Sequence, residues 1–329
     1  MIEHMFEDTR LEESAAAAPR GYPCDVYVSS FEEQAALVAL LRTRPDGLSW
    51  PELTTRVRDE ASVERVIEDL QPSQGLFPDP EFADALAVAE KDVHAWNSEG
   101  LTFLTILDGR YPASMRDIHQ APPFLFTRGE LRESDPGISI VGSRDASPTG
   151  LKIAEAVAIA AVEDGLSVIS GLAAGIDTVA HTTALRDGGR PVGVIGTGIR
   201  KAYPAANREL HSEVAERGLL LSQFWPDAPP QKHTFLMRNA TMSGYGLATV
   251  VVEAGEHSGA RAQARIAVEH GRPVVLTDLV LERTQWAKTL EGRPGVTIAS
   301  STQDVIDAIR QIRAADDSIN DAIRSLVSA

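Results

Sequence analysis

The chain has 329 residues, 43% of them hydrophobic and 24% charged, with a formal net charge of −16, which is enough apolar sequence for one large core and a smaller attached unit. Its single cysteine, Cys24, excludes an intrachain disulfide, a cysteine-based zinc site and a two-cysteine redox motif, and fits a reducing cytoplasm. The acidic balance excludes a surface coated with nucleic acid, so any such site has to be a local basic groove. The acidic N-terminus does not suit a signal peptide, and no apolar run is long enough for a membrane span.

Residues 1–30, acidic and then AAAAPRGYP, show little periodicity and read as a flexible leader. A small helical domain is expected over 31–75. FEEQAALVALLRTR sets Leu37, Leu40 and Leu41 on one helical face, SWPELTTRV offers Ser49 as an N-cap with Pro51 in the first turn, and SVERVIEDL carries a third apolar stripe. Three such helices make either a packing module or a helix-turn-helix reader of DNA, and no cluster of Arg and Lys marks a recognition helix. QPSQGLFPDPEF, with three prolines, introduces a linker placed at 76–97.

From residue 98 to 315 a different rhythm holds. GISIVGSR, GLSVIS, RPVGVIG, GLLLSQF, LATVVVE, RPVVLTD and GVTIAS are buried-strand patterns, and helical stretches such as LKIAEAVAIAAVEDG lie between most of them. That alternation yields a parallel sheet covered on both faces. The fold class expected is α/β, an extended Rossmann-like parallel sheet with the small N-terminal helical domain. STQDVIDAIRQIRAADD closes the pattern as a last helix, and 316–329 reads as a short tail.

The strand ends carry the chemistry. A dinucleotide site needs G-x-G-x-x-G after the first strand, which VGSRDASPTG lacks; VIGTGIRKAYP has Gly196 and Gly198 but Lys201 in the third place, so a nicotinamide-dependent oxidoreductase is excluded. Gly142, Ser143 and Arg144 follow strand one of this series, and Ser170, Gly171 and Gly175 follow the next. Tyr203 and Asn207 lie beyond the Gly196 turn, Arg238 and Asn239 open a helix, and Ser258 and Gly259 follow Glu253. In a parallel sheet the residues that follow strands emerge at one edge, where N–H groups, hydroxyls and guanidinium groups suit phosphates. Asp177 and His181, four apart, share a helical face and read as a structural or ligand-orienting pair, or as half of a catalytic relay. Glu253 is a general base or a partner of the adjacent loop. The histidines show no metal spacing.

Taken together, YPASMRDIHQAPPFLFTRGEL, IVGSRDASPTG, SGLAAGIDTVAHTTAL, GTGIRKAYPAANREL, GLLLSQF, FLMRNATMSGYGLATVVVEAGEHSGA and the GRPV turn resemble the DprA/Smf family of DNA-processing proteins over residues 98 to 300. The resemblance implies a single-stranded DNA-binding protein of natural transformation and recombination. Such a protein is not an enzyme, uses no cofactor or metal, forms a homodimer in the cytoplasm, and helps load the RecA recombinase. It also implies that Arg144, Gly171, Gly175, Asp177, His181, Asn207, Arg238, Asn239 and Ser258 line or shape the DNA groove.

The chain departs from the family pattern at Ala240, where a second arginine is usual, in ARAQA after Ser258-Gly259, and in TDL after the next strand. Arg261 and Arg265 are expected to supply positive charge near the altered segment. No counterpart of the family's C-terminal winged helix is expected after DVIDAIRQI. The rival reading is a nucleotide-binding sensor or nucleoside monophosphate phosphoribohydrolase of the wider Rossmann-like group. Its Pro-Gly-Gly-x-Gly-Thr turn is replaced here by EAGEHSGARAQA.

Overall fold

The computed structural model describes residues 26–70 and 80–327. The helical unit comprises α1 (Phe31–Thr43), α2 (Trp50–Glu60), α3 (Val63–Leu70) and α4 (Pro80–Ser98). Ser30 caps α1, its hydroxyl accepting from Glu33 N at 3.1 Å. Ser49 and Glu52 form a capping box on α2, with Pro51 in the first turn as expected. Leu37, Leu40 and Leu41 are buried on α1.

Two boundaries differ from the sequence reading. The leader (1–30) gives way to ordered backbone before its end, since Tyr27 O accepts from Gly109 N at 2.7 Å and the Ser29 hydroxyl meets that of Thr105 at 2.6 Å; residues 1–25 lie outside the described part. The linker expected over 76–97 is mostly α4, because Phe82, Ala89, Val93 and Trp96 form a buried stripe at spacings that one helix face provides, and α4 packs along α1. Residues 71–79 lie outside the described part.

The rest builds the sheet: β1 (Thr102–Thr105), α5 (Ala113–Arg116), β2 (Phe124–Gly129), β3 (Gly137–Gly142), α6 (Pro148–Glu163), β4 (Ser167–Ser170), α7 (Ile176–Arg186), β5 (Pro191–Val194), α8 (Arg208–Arg217) and β6 (Leu219–Ser222) come first. α9 (Lys232–Tyr245), β7 (Ala248–Glu253), α10 (Gly259–Glu269), β8 (Val274–Thr277), α11 (Asp278–Arg283), α12 (Gln285–Lys288), β9 (Val296–Ala299) and α13 (Thr302–Val327) complete it. The tail expected over 316–329 is therefore helical as far as Val327. No described helix is long and apolar enough to cross a membrane.

The nine described strands form one sheet in the order β1-β2-β6-β5-β4-β3-β7-β8-β9. β3 to β9 are mutually parallel, as their apolar runs predicted. β1 and β2 add an antiparallel extension on the β6 edge, with Phe126 opposite Ser222 and Arg128 opposite Leu220. The helical unit shares its core with this edge. Trp50 meets Phe124 at 5.5 Å, Trp96 meets Phe126 at 4.9 Å, and Trp225 stacks on Phe124 at 4.5 Å. Each such pair adds about 0.5–1.5 kcal/mol beyond area burial. Chain order reverses at β3, whose neighbours are β4 on one side and β7 on the other. Ligands of open α/β sheets bind at that kind of switch point, outside the C-terminal strand ends.

Candidate nucleic-acid interface

A cleft of about 620 Å³ opens at this switch point. Its walls come from the loop after β3, the corner after β4, the face of α9 and the turn after β7. Of the residues singled out by sequence, Gly142, Ser143, Arg144, Asp177, Arg238, Asn239, Ser258 and Gly259 line it. Gly171 and Tyr203 line a smaller adjoining cavity of about 80 Å³ that Arg144 and Arg238 also touch.

The loop after β3 is held from below. Glu253 Oε2 accepts from Ser147 N at 3.0 Å and from its hydroxyl at 2.7 Å, while Oε1 pairs with Arg283. Glu253 is 5% exposed, so of its two readings the contacts support the loop partner. A Cβ on Gly142 would lie 2.8 Å from the Glu253 carbonyl, which keeps the strand end flush with β7. Ser143 accepts from Asp145 N at 3.1 Å, and Ser258 caps α10 by accepting from Ala260 N at 3.2 Å.

The corner after β4 is organised around one carboxylate. Asp177 Oδ2 accepts from Gly171 N at 3.1 Å and Ala173 N at 3.3 Å. Burial pushes the Asp177 carboxyl above its usual range, against the pull of the Arg238 charge and these two N–H groups. Gly175 has φ 77°, and a Cβ there would sit 2.3 Å from the Ser143 carbonyl, so this turn requires glycine twice over. Gly171 is required for a different reason: its Cβ would fall 1.7 Å from Arg238 Nη1.

Arg238 is not the exposed groove arginine that the sequence suggests. It is 8% exposed and donates from Nη1 to the Val194 carbonyl at 2.7 Å, while its Nε has no hydrogen-bond partner. Burial lowers its pKa, and Asp177 opposes that shift. Arg144 is the exposed one, stacked at 5.8 Å over Phe235 and without an acidic partner among the described residues. Phe235 in turn lies 5.5 Å from the Tyr203 ring, which is 40% exposed. Guanidinium, phenyl and phenol thus form a continuous surface beside the two cavities. Phe235 was missed in the sequence, where an aromatic on a helix reads as core; its place in the FLMRN motif was the available signal.

Four residues shape the site without lining it. Ser170 is fully buried and donates to the Ile140 carbonyl at 2.6 Å, tying β4 to β3. Asn207 donates to Leu172 O at 2.9 Å and to the Thr178 hydroxyl at 2.9 Å, pinning the corner from outside, and Gly175 sets the turn. His181 is fully buried, its ring nitrogens lack well-formed hydrogen bonds, and no hydrogen bond joins it to Asp177. Desolvation lowers its pKa to about 3, and without a bond to Asp177 the two lack the contact of a carboxylate–imidazole relay. Arg261 and Arg265 do not restore cleft charge: Arg261 lies 3.8 Å from Glu256, and Arg265 pairs with Glu269 at 2.6 Å. Arg265 and Ala240 line a separate cavity beside Trp50.

The fold and the cleft define a Rossmann-like protein with an arginine-bearing cleft at its topological switch point. Residues 102–310 match the family model for DNA recombination-mediator protein A, and the chain belongs to that family. It is 40% identical over 171 residues to DNA processing protein DprA of Streptococcus pneumoniae, covering 52% of this chain and 60% of the relative. The X-ray structure of DNA processing protein A from that organism aligns with TM-score 0.68 at 29% identity, over 85% of this chain and 98% of the other. A structure described by the single-stranded DNA binding mode of DNA processing protein A from Helicobacter pylori shares the fold, with TM-score 0.57 at 22% identity over 64% and 96%. The chain spans about half the length of the first curated relatives it matches.

Proposed function

We propose that this chain binds single-stranded DNA through its phosphates and acts in DNA processing and recombination during natural transformation. The observation that carries the reading is the cleft itself. In a chain of net charge −16, an exposed arginine without an acidic partner among the described residues stands at the C-terminal strand ends, next to the Ser258-capped N-terminus of α10 and an aromatic surface. Phosphates are drawn to the guanidinium and the helix N–H groups, and bases stack on aromatic faces without regard to sequence. The names of the relatives support the same reading.

The protein works without catalysis or cofactor in this account, a reading that rests on the family resemblance, and Glu253 serves there as the partner of Ser147 and Arg283. The partnership with the RecA recombinase, the homodimer and the cytoplasmic location rest on the family resemblance. A mobility shift on a labelled single strand, with unlabelled single strand, duplex and mononucleotides as competitors, tests the proposal. Single strand should compete best. Displacement by mononucleotides alone would instead favour the nucleotide sensor or hydrolase.

A further inference from the structure

A second basic cavity, of about 380 Å³, lies on the other side of the Tyr203–Pro204 segment. Its walls come from three elements, two neighbouring in sequence and one, β2, distant from both. Arg128 reaches it from β2, Lys201 from the loop after β5, and Arg208, His211 and Ser212 from α8. The antiparallel extension of the sheet is what delivers Arg128, since β2 lies beside β6 with Arg128 opposite Leu220, itself a wall of the cavity.

The charges there are unevenly satisfied. Arg200, at the rim, is engaged by Glu99 and Asp227 at 2.7 and 2.5 Å, and Lys201 lies 3.6 Å from Asp227. Arg128 and Arg208 are exposed and have no acidic partner among the described residues. Two uncompensated guanidinium groups facing one cavity repel each other, and an anion between them relieves that repulsion. The cavity is also mechanically tied to the cleft. Ala202 walls this cavity and Pro204 walls the one that Arg144 and Arg238 line, and two residues of chain span about 7 Å at most. His211 Nε2 lies 3.3 Å from the Tyr203 carbonyl, joining α8 to the same segment.

We propose that the cavity walled by Arg128 and Arg208 is a second phosphate subsite for the strand held in the cleft, which crosses between the two over the exposed Tyr203 ring. This rests on the strand-binding reading above, and it predicts a footprint longer than the cleft alone provides. The occupant is a run of backbone phosphates, with no base-specific contact required.

The experiment compares wild type, Arg128→Ala/Arg208→Ala, the charge-conserving Arg128→Lys/Arg208→Lys and, separately, Arg144→Ala. Binding is measured by fluorescence anisotropy on strands of about four and about 16 nucleotides. The alanine pair should weaken binding of the long strand roughly tenfold or more and reduce its salt slope by about 1.4, for two phosphate contacts. The short strand should bind the alanine pair as it binds wild type, the lysine pair should recover most of the long-strand affinity, and melting temperatures should match.

An equal loss on both strands would overturn the subsite. So would unchanged long-strand binding while Arg144→Ala still loses affinity, an outcome that leaves the strand-binding reading standing. If inorganic phosphate raises the melting temperature of wild type but not of the alanine pair, with long-strand binding unaffected, the cavity takes a free anion and the subsite is again overturned. If Arg144→Ala and the alanine pair are both silent on every strand, the strand-binding reading falls and the subsite with it.

Discussion

Replacing Gly171 with alanine adds one methyl group at the place where the corner after β4 meets Arg238. The added Cβ would lie 1.7 Å from Nη1, 2.5 Å from Cζ and 2.6 Å from Nη2 of that arginine. Gly171 does not adopt a positive φ, so the whole effect comes from this collision and not from backbone strain. The guanidinium has to leave its buried seat and give up the bond to the Val194 carbonyl at 2.7 Å. Loss of a hydrogen bond to a charged group costs about 1.5–3 kcal/mol. At about 2–4 °C per kcal/mol for domains of 150–250 residues, the melting temperature should fall by roughly 3–12 °C. Because Arg238 lines both cavities, strand affinity should fall as well. Gly259→Ala is the control for stability, since a Cβ there meets no protein atom within 4 Å. Calorimetry and anisotropy on the two variants decide the matter. Gly171→Ala melting and binding as wild type does would refute the reasoning, because the guanidinium would then be free to swing aside.

Asp177→Asn removes the charge that faces buried Arg238 and weakens an acceptor shared by two N–H groups; it should lower stability by about 1–3 kcal/mol and weaken strand binding. Unchanged melting with tighter binding would instead put the carboxylate in the path of the ligand. His181 has a folded pKa of about 3 against roughly 6.5 unfolded, so the folded state binds fewer protons. Its contribution is present above about pH 6.5 and is lost as pH falls toward 3, at about 1.4 kcal/mol per unit. His181→Leu should therefore flatten the loss of stability on the acid side in a pH series of melting curves, and an unaltered slope would contradict the burial argument.

The parts of this molecule that were legible in the sequence are those where one local pattern has one structural meaning. β3 to β8 are buried on both faces, so each reads as a continuous apolar run between helices. β1 and β2 did not, because TFLT and FLFTRG are short and antiparallel, and β6, which joins β2 to the rest of the sheet, lies about a hundred residues on. α4 was obscured by the prolines that precede it, although Phe82, Ala89, Val93 and Trp96 carry its stripe. At the site, glycines and charges at strand ends marked corners that the parallel topology brings to one edge, around one cleft and its adjoining cavity. Sequence could not tell which way each side chain turns. Arg144 and Arg238 look equivalent as letters, yet one faces solvent and the other fills the space left by Gly171. The cavity of Arg128 and Arg208 depends on an antiparallel pairing that no local pattern announces.

The central claim is that the switch-point cleft holds a strand by its phosphates, with Arg144 as the exposed cation. It is tested most directly by titrating a labelled single strand against wild type and Arg144→Ala over a range of salt concentrations. The account predicts an affinity that falls steeply with salt in wild type. In the variant it predicts a loss of roughly tenfold or more and a slope shallower by about 0.7, at an unchanged melting temperature. A folded Arg144→Ala protein with the affinity and salt slope of wild type would contradict it.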